Sequence, residues 1–165
     1  MKSFKSWESD LDADVISDQI ISDAKDAATK FMDDGKDKNA AKLFTKILKL
    51  QTSKLGDSDI ETLSTKQRLG EVMIKQNKLN KALKMYQEVL ETLETNHGPT
   101  FPGVWSMKRN IAMVLCAMGN IEGAVEQSLL VLTHLKSIMS DDSPPVKQVE
   151  KDLAMFQEIL KKREA

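Results

Sequence analysis

One cysteine and two histidines in 165 residues leave a disulfide framework, a zinc finger or an iron–sulfur site without enough ligands. No run of eighteen apolar residues exists to span a bilayer, and the opening Met1-Lys2-Ser3-Phe4-Lys5-Ser6-Trp7 lacks the apolar core of a secretion signal. A cytoplasmic protein without membrane insertion is therefore expected. Glycine-rich phosphate loops, nucleophile elbows and paired-carboxylate signatures are also missing, so the reading is of a non-enzyme that needs no cofactor and no metal. With 24 basic against 25 acidic side chains, nothing in the overall charge draws the chain to nucleic acid. Only four prolines and seven glycines interrupt a chain that is 30% charged and 41% apolar, which is the composition of helices.

What is present is a repeat. Ala40, Ala82 and Ala124 stand 42 residues apart, and so do Ala28, Gly70 and Ala112, twelve positions before them. Ile47, Val89 and Val131 keep the same interval, as do Phe31, Met73 and Leu115. Apolar positions recur at three and four on both sides of each turn, which predicts helix pairs: a first helix (A) bearing Ala28, Gly70 or Ala112 and a second (B) bearing Ala40, Ala82 or Ala124. Residues without bulk at those places let antiparallel helices approach while Leu, Ile and Phe fill the flanks. Asp34-Gly35-Lys36-Asp37, Gln76-Asn77-Lys78 and Met118-Gly119-Asn120 supply the turns within pairs. Between pairs, Ser58 with Glu61 reads as a capping box, and Pro102 and Pro144 suit a first helical turn. A flexible segment over 1–10 and a single domain over 11–163 are expected, with repeats at about 20–57, 58–99 and 100–141 and a capping helix over 144–163. That helix carries Val149, Leu153, Phe156 and Leu160 on one face. Ser128 replaces the aromatic found at Phe44 and Tyr86 and marks a weak spot.

The small residue, the alanine twelve later and the aromatic four beyond it resemble the tetratricopeptide repeat (TPR). The 42-residue period, Leu55-Gly56, Gly98 with Pro102, Val104, and Asn110-Ile111-Ala112 are similar to the long-helix repeats of kinesin light chains; no sustained heptad run matches the coiled coil of that family. The resemblance covers about residues 20 to 160. It implies an all-α fold, a right-handed TPR superhelix (α-solenoid) of three helix-turn-helix repeats plus a C-terminal capping helix, whose A helices line a concave groove for a peptide or a partner's helix. The family's groove asparagine is kept at Asn110, with Arg68 and Asp26 at its equivalents.

The A-helix positions left over from the core are Lys25, Asp26 and Thr29, then Gln67, Arg68 and Glu71, then Arg109, Asn110 and Met113, and Lys151 in the cap. They are the candidate groove residues, with Arg68 and Arg109 as two-pronged partners for a carboxylate. The expected partner is a protein or peptide, acidic in character; a structural subunit of a homo- or hetero-oligomer is the alternative. Six lysines against ten acids over residues 1–39 make the N-terminal part acidic. Trp7 among Glu8, Asp10 and Leu11 has two readings: a segment docking near Arg68 and Arg109, in cis or from a second copy, or a lid in which Trp7 and Leu11 cover the first helix, whose apolar positions are Leu11, Val15, Ile16, Ile20 and Ile21. Cys116 among Met113, Leu115 and Met118 reads as packing, as do Met73, Met85 and Met118; His97 and His134 are expected in solvent. Trp105 reads as a packed turn or, if exposed, as a binding anchor.

Overall fold

The structure, a computed structural model, describes residues 2–12 and 17–164. Val15 and Ile16 lie outside the described residues. Among these there are eight α-helices and no strand: α1 (Phe4–Leu11), α2 (Asp18–Asp33), α3 (Asp37–Leu55), α4 (Ile60–Lys75), α5 (Leu79–His97), α6 (Pro102–Ala117), α7 (Ile121–Ile138) and α8 (Pro144–Glu164). The chain divides into two compact units, Met1–Met85 and Tyr86–Ala165, and the division falls inside α5.

The turns show why the 42-residue interval governs the fold. Gly35, Asn77 and Gly119, one period apart, all take a left-handed conformation, with φ of 72°, 58° and 87°. At each, the following N–H reaches back to the same carbonyl: Lys36 to Phe31 at 2.7 Å, Lys78 to Met73 at 2.8 Å and Asn120 to Leu115 at 2.9 Å. This closes three helices by one motif, satisfying carbonyls that a helix end otherwise leaves unpaired. Asparagine tolerates the left-handed region better than other non-glycine residues, so Asn77 substitutes for glycine there. Helix starts are less uniform. Ser17 caps α2 by accepting from Ile20 N, and Asn120 caps α7 by accepting from Gly123 N. At α4 the expected Ser58–Glu61 capping box is not formed: Asp59 accepts from Glu61 N at 2.8 Å, because the helix begins at Ile60, one residue later than that box requires.

In the first unit α2 packs on α3 and α3 on α4. Ala24, Ala28, Ala40, Leu43, Phe44 and Ile47 are buried there with Leu69 and Val72. Met73 and Met85 pack against the same core. Residues 4–11 form the helix α1, with Trp7 and Leu11 buried against that core. The apolar side of so short a segment gains only by lying on a neighbour, and α2 and α3 supply one.

In the second unit α6 packs on α7 and α7 on α8. Ala112, Ile121, Ala124 and Phe156 form one buried cluster, and Val131, Leu135, Val146 and Val149 another. Ser128 is buried as well. Met118, expected in the core, is 39% exposed because it forms the C-cap of α6 at the turn. Arg163 on the last turn of α8 donates to the Gly119 carbonyl at 3.0 Å, pinning the end of the chain to the α6–α7 turn.

The small residues are enclosed as close helix crossings require: Ala28, Ala40, Ala82 and Ala124 are fully buried. Ala82→Leu is expected to lower unfolding stability by about 1–3 kcal/mol through overpacking. Urea unfolding followed by circular dichroism measures this, with no loss expected for Lys81→Leu beside it, whose side chain is exposed.

Candidate functional site

The A-helix residues singled out by the sequence fall into a group in each unit. On α4, one turn brings three together: Glu71 accepts from Gln67 Nε2 at 3.4 Å and from Arg68 Nη1 at 3.0 Å. Arg68 is exposed, so its guanidinium retains donors that this single contact does not use. On α2, Lys25 Nζ donates to Glu61 Oε2 at 2.7 Å, bridging to the first turn of α4, and the Thr29 hydroxyl donates to the Lys25 carbonyl. Asp26 lies exposed beside them.

In the second unit, the guanidinium of Arg109 is committed within the fold. Its Nε and Nη2 fork onto Asp152 of α8 at 2.5 and 3.3 Å, and Gln148 Nε2 donates to the same carboxylate at 3.0 Å. Asp152 is buried, with its side chain 8% exposed, and the bidentate geometry compensates for its desolvation. The two-pronged contact expected with a ligand carboxylate is thus made with the chain's own cap. Asn110 is half-buried on α6, Met113 is exposed one turn on, and Lys151 is exposed on α8.

Asp152 and Gln148 were not among the residues that sequence reasoning selected. A signal existed: Asp152 stands one period after Asn110, in the column that also holds Asp26 and Arg68. An acid in that column of the cap meets the arginine of α6, 43 residues earlier.

Each unit holds an open cleft where the start of an A helix meets the end of its B helix and the start of the next helix. The first is about 480 Å³ and the second about 300 Å³. Their linings correspond residue by residue across two 42-residue periods: Ile21 with Trp105, Lys25 with Arg109, Gln51 with Leu135, Lys54 with Ile138, Leu55 with Met139 and Glu61 with Pro145. The chemistry has diverged. In the first cleft Lys54 pairs with Asp18 and Lys25 with Glu61, each at 2.7 Å, and buried Gln51 accepts from the Thr65 hydroxyl. The second is apolar and aromatic. Trp105 stacks on His134 with ring centroids 3.8 Å apart and Lys108 Nζ 4.9 Å from the indole. His134, expected in solvent, is half-buried by that stacking because α6 and α7 pack together. His97 is exposed and stacks on Phe101.

Cys116 is half-buried, and burial pushes its thiol above the usual cysteine range, opposed in part by Arg163. A thiol so placed is protonated at neutral pH and is not an activated nucleophile. Among the described residues no group of three or more His, Cys, Asp or Glu side chains is arranged to hold a metal ion, and no helix is long and apolar enough to cross a membrane.

Residues 62–103 match the tetratricopeptide repeat. No curated protein matches the chain. Among solved structures, a candidate kinesin light chain of Podosopora anserina with nearly identical TPR-like repeats superposes with a TM-score of 0.78 at 14% identity, over 98% of this chain and 79% of that one. A single-substitution variant of such a protein gives 0.76 at 16% identity, over 90% of this chain and 70% of that one. BtubC (BKLC) from P. vanneervenii gives 0.76 at 16%, over 93% of this chain and 62% of that one. The chain carries a tetratricopeptide repeat and has the all-α fold of kinesin-light-chain-type TPR proteins.

The two arginines are expected to respond differently to neutralisation. Arg109→Met leaves the Asp152 carboxylate buried with only Gln148 and should cost about 1–3 kcal/mol, below the full buried-pair penalty because Arg109 is itself 34% exposed. Arg68→Met removes an exposed pair and should cost at most about 0.5 kcal/mol. Urea unfolding of the two variants side by side measures the difference.

Proposed function

We propose that this chain is a non-enzymatic protein-interaction module that takes an extended acidic peptide or a partner's helix along the polar faces of its A helices. The observation that supports it best is the arrangement on α4: Gln67, Arg68 and Glu71 lie on one side of a helix whose Leu63, Leu69 and Val72 are buried. Their equivalents one period earlier, Lys25, Asp26 and Thr29 on α2, are likewise left outside the buried core, so within the first unit an extended ligand has polar side chains of two helices to follow. Lys25 and Thr29 of α2 join that group within the first unit; in the second unit the proposed positions are Asn110, Met113 and Lys151, where Arg109 holds the cap rather than offering its fork to a ligand. A cytoplasmic setting suits such a module.

A second reading, a structural subunit in an oligomer, is favoured by α7. Leu129 and Leu130 are 46% and 54% exposed there, neighbouring apolar side chains of the kind that permanent interfaces cover. A mass by light scattering that stays at a fixed multiple of the monomer on dilution would select this reading over the first.

The peptide reading is tested by selecting random twelve-residue peptides displayed on phage against the immobilised full chain. Enriched peptides should be acidic. Their affinity should fall about tenfold or more in Lys25→Glu/Arg68→Glu of unchanged helicity, the loss of roughly one charge-assisted contact. Peptides that bind this variant as tightly as the wild type would refute the assigned row.

A further inference from the structure

The first eight-residue helix is built like a ligand. Phe4, Trp7 and Leu11 fall at i, i+3 and i+7, so one side of α1 carries all its large apolar groups. Trp7 and Leu11 are buried against the α2–α3 core, and Phe4 meets Phe31 edge-on with ring centroids 6.1 Å apart. The polar fixings come from α3. Lys46 Nζ donates to the Asp12 carboxylate at 2.6 Å and to the Glu8 carbonyl at 3.3 Å, and Lys42 Nζ lies 5.5 Å from the Phe4 ring. A short amphipathic helix anchored at i, i+3 and i+7 in a groove is a recurring mode of peptide recognition. Here ligand and groove belong to one chain.

Several features make α1 a weak occupant. Eight residues are too few to stay helical once detached, so α1 depends on the groove for its structure. Trp7 is 8% exposed, yet its Nε1 has no hydrogen-bond partner, so seating it strips water from a donor without replacement. The Lys46–Asp12 pair is open to solvent on the acid side, where ion pairs contribute little. The α3 side of the groove is basic, with Lys42 and Lys46 reaching α1. Lys38, Lys42, Lys46 and Lys49 follow one another on α3 at steps of four, four and three, along one side of that helix.

We propose that the α2–α3 groove is a docking site for a segment of another protein, a short acidic amphipathic helix with large apolar side chains at i, i+3 and i+7, and that α1 is its built-in competitor. The partner displaces α1 and gains the pocket of Trp7 and the pairing with Lys46. This surface uses none of the residues proposed above for the peptide row, so the two readings stand or fall separately.

Two fluorescein-labelled peptides test it on the full chain: residues 2–12 of this sequence, and a version keeping only Phe4, Trp7, Leu11 and the acids with alanine elsewhere. Because an occupied groove lowers apparent affinity by the fraction closed, Trp7→Ala in the chain should bind both peptides at least about tenfold more tightly than wild type. Adding Lys46→Glu should weaken binding by about fivefold or more, and Asp12→Lys in the peptide should restore it; this rescue separates lost pairing from lost folding. Equal affinity for wild type and Trp7→Ala overturns the proposal, as does indifference to the Lys46 and Asp12 reversals. Binding abolished by Lys25→Glu/Arg68→Glu while Lys46→Glu is silent overturns it by moving the peptide to the other surface. Dimerisation of wild type with rising concentration, lost in Trp7→Ala, overturns it in favour of α1 exchange between copies.

Discussion

Close approach of helix backbones at residues without bulk is the constraint on which this fold rests. Ala28 and Ala40 in the first unit, and Ala112 and Ala124 in the second, are buried to within 1% of their surface. The turns at Gly35, Asn77 and Gly119 share one local geometry, and those at Gly35 and Gly119 bring α2 back onto α3 and α6 onto α7. Neither device suffices alone. A turn without the small residues would splay the helices, and small residues without the turn would leave them unpaired. Because both recur every 42 residues, one local solution is used three times, and the side chains left outside each crossing recur with it.

Repetition of the backbone does not oblige repetition of chemistry. The clefts beside Ile21 and Trp105 occupy the same place in repeats two periods apart, yet one is braced by Lys54–Asp18 and Lys25–Glu61 and the other is lined by Trp105, Leu135, Ile138 and Pro145. Positions such as Ile21 and Leu135 also pack in the buried clusters, and the same backbone arrangement accommodates either character around them. Any selectivity such a protein has is therefore free to vary at these positions while the buried alanines stay fixed.

Helices, turns and small-residue crossings were legible in the sequence because each follows from a local pattern: period, turn residue or missing bulk. Pairings between helices were not. That Arg109 would fork onto Asp152 instead of presenting itself to a ligand depends on α8 lying beside α6 in one particular register, which hydrophobic spacing on α8 sets only loosely. His134 was expected in solvent; its stacking on Trp105 comes from another helix. At the start of α4 the pattern Ser58 to Glu61 and the acid Asp59 both offer a cap, and a shift of one residue decided between them. At the N-terminus the spacing of Trp7 and Leu11 admitted a lid, but the lysines of α3 that hold it lie more than thirty residues away.

The two terminal helices close their units by different physics. In α8, Val146, Val149 and Phe156 are enclosed, Asp152 is locked by Arg109 and Gln148, and Arg163 reaches the α6–α7 turn, so apolar burial and charge-assisted hydrogen bonds act along 21 residues. In α1, two buried side chains, the Phe4–Phe31 contact and the hydrogen bonds of Lys46 to the Glu8 carbonyl and the Asp12 cap act along eight. Local opening follows the element with the fewest buried contacts and the most solvent-exposed backbone. By that rule the α1 end is expected to uncover apolar surface before the α8 end. The surface uncovered, aromatic at Phe31 and edged by Lys42 and Lys46, is shaped by the helix that has just left it.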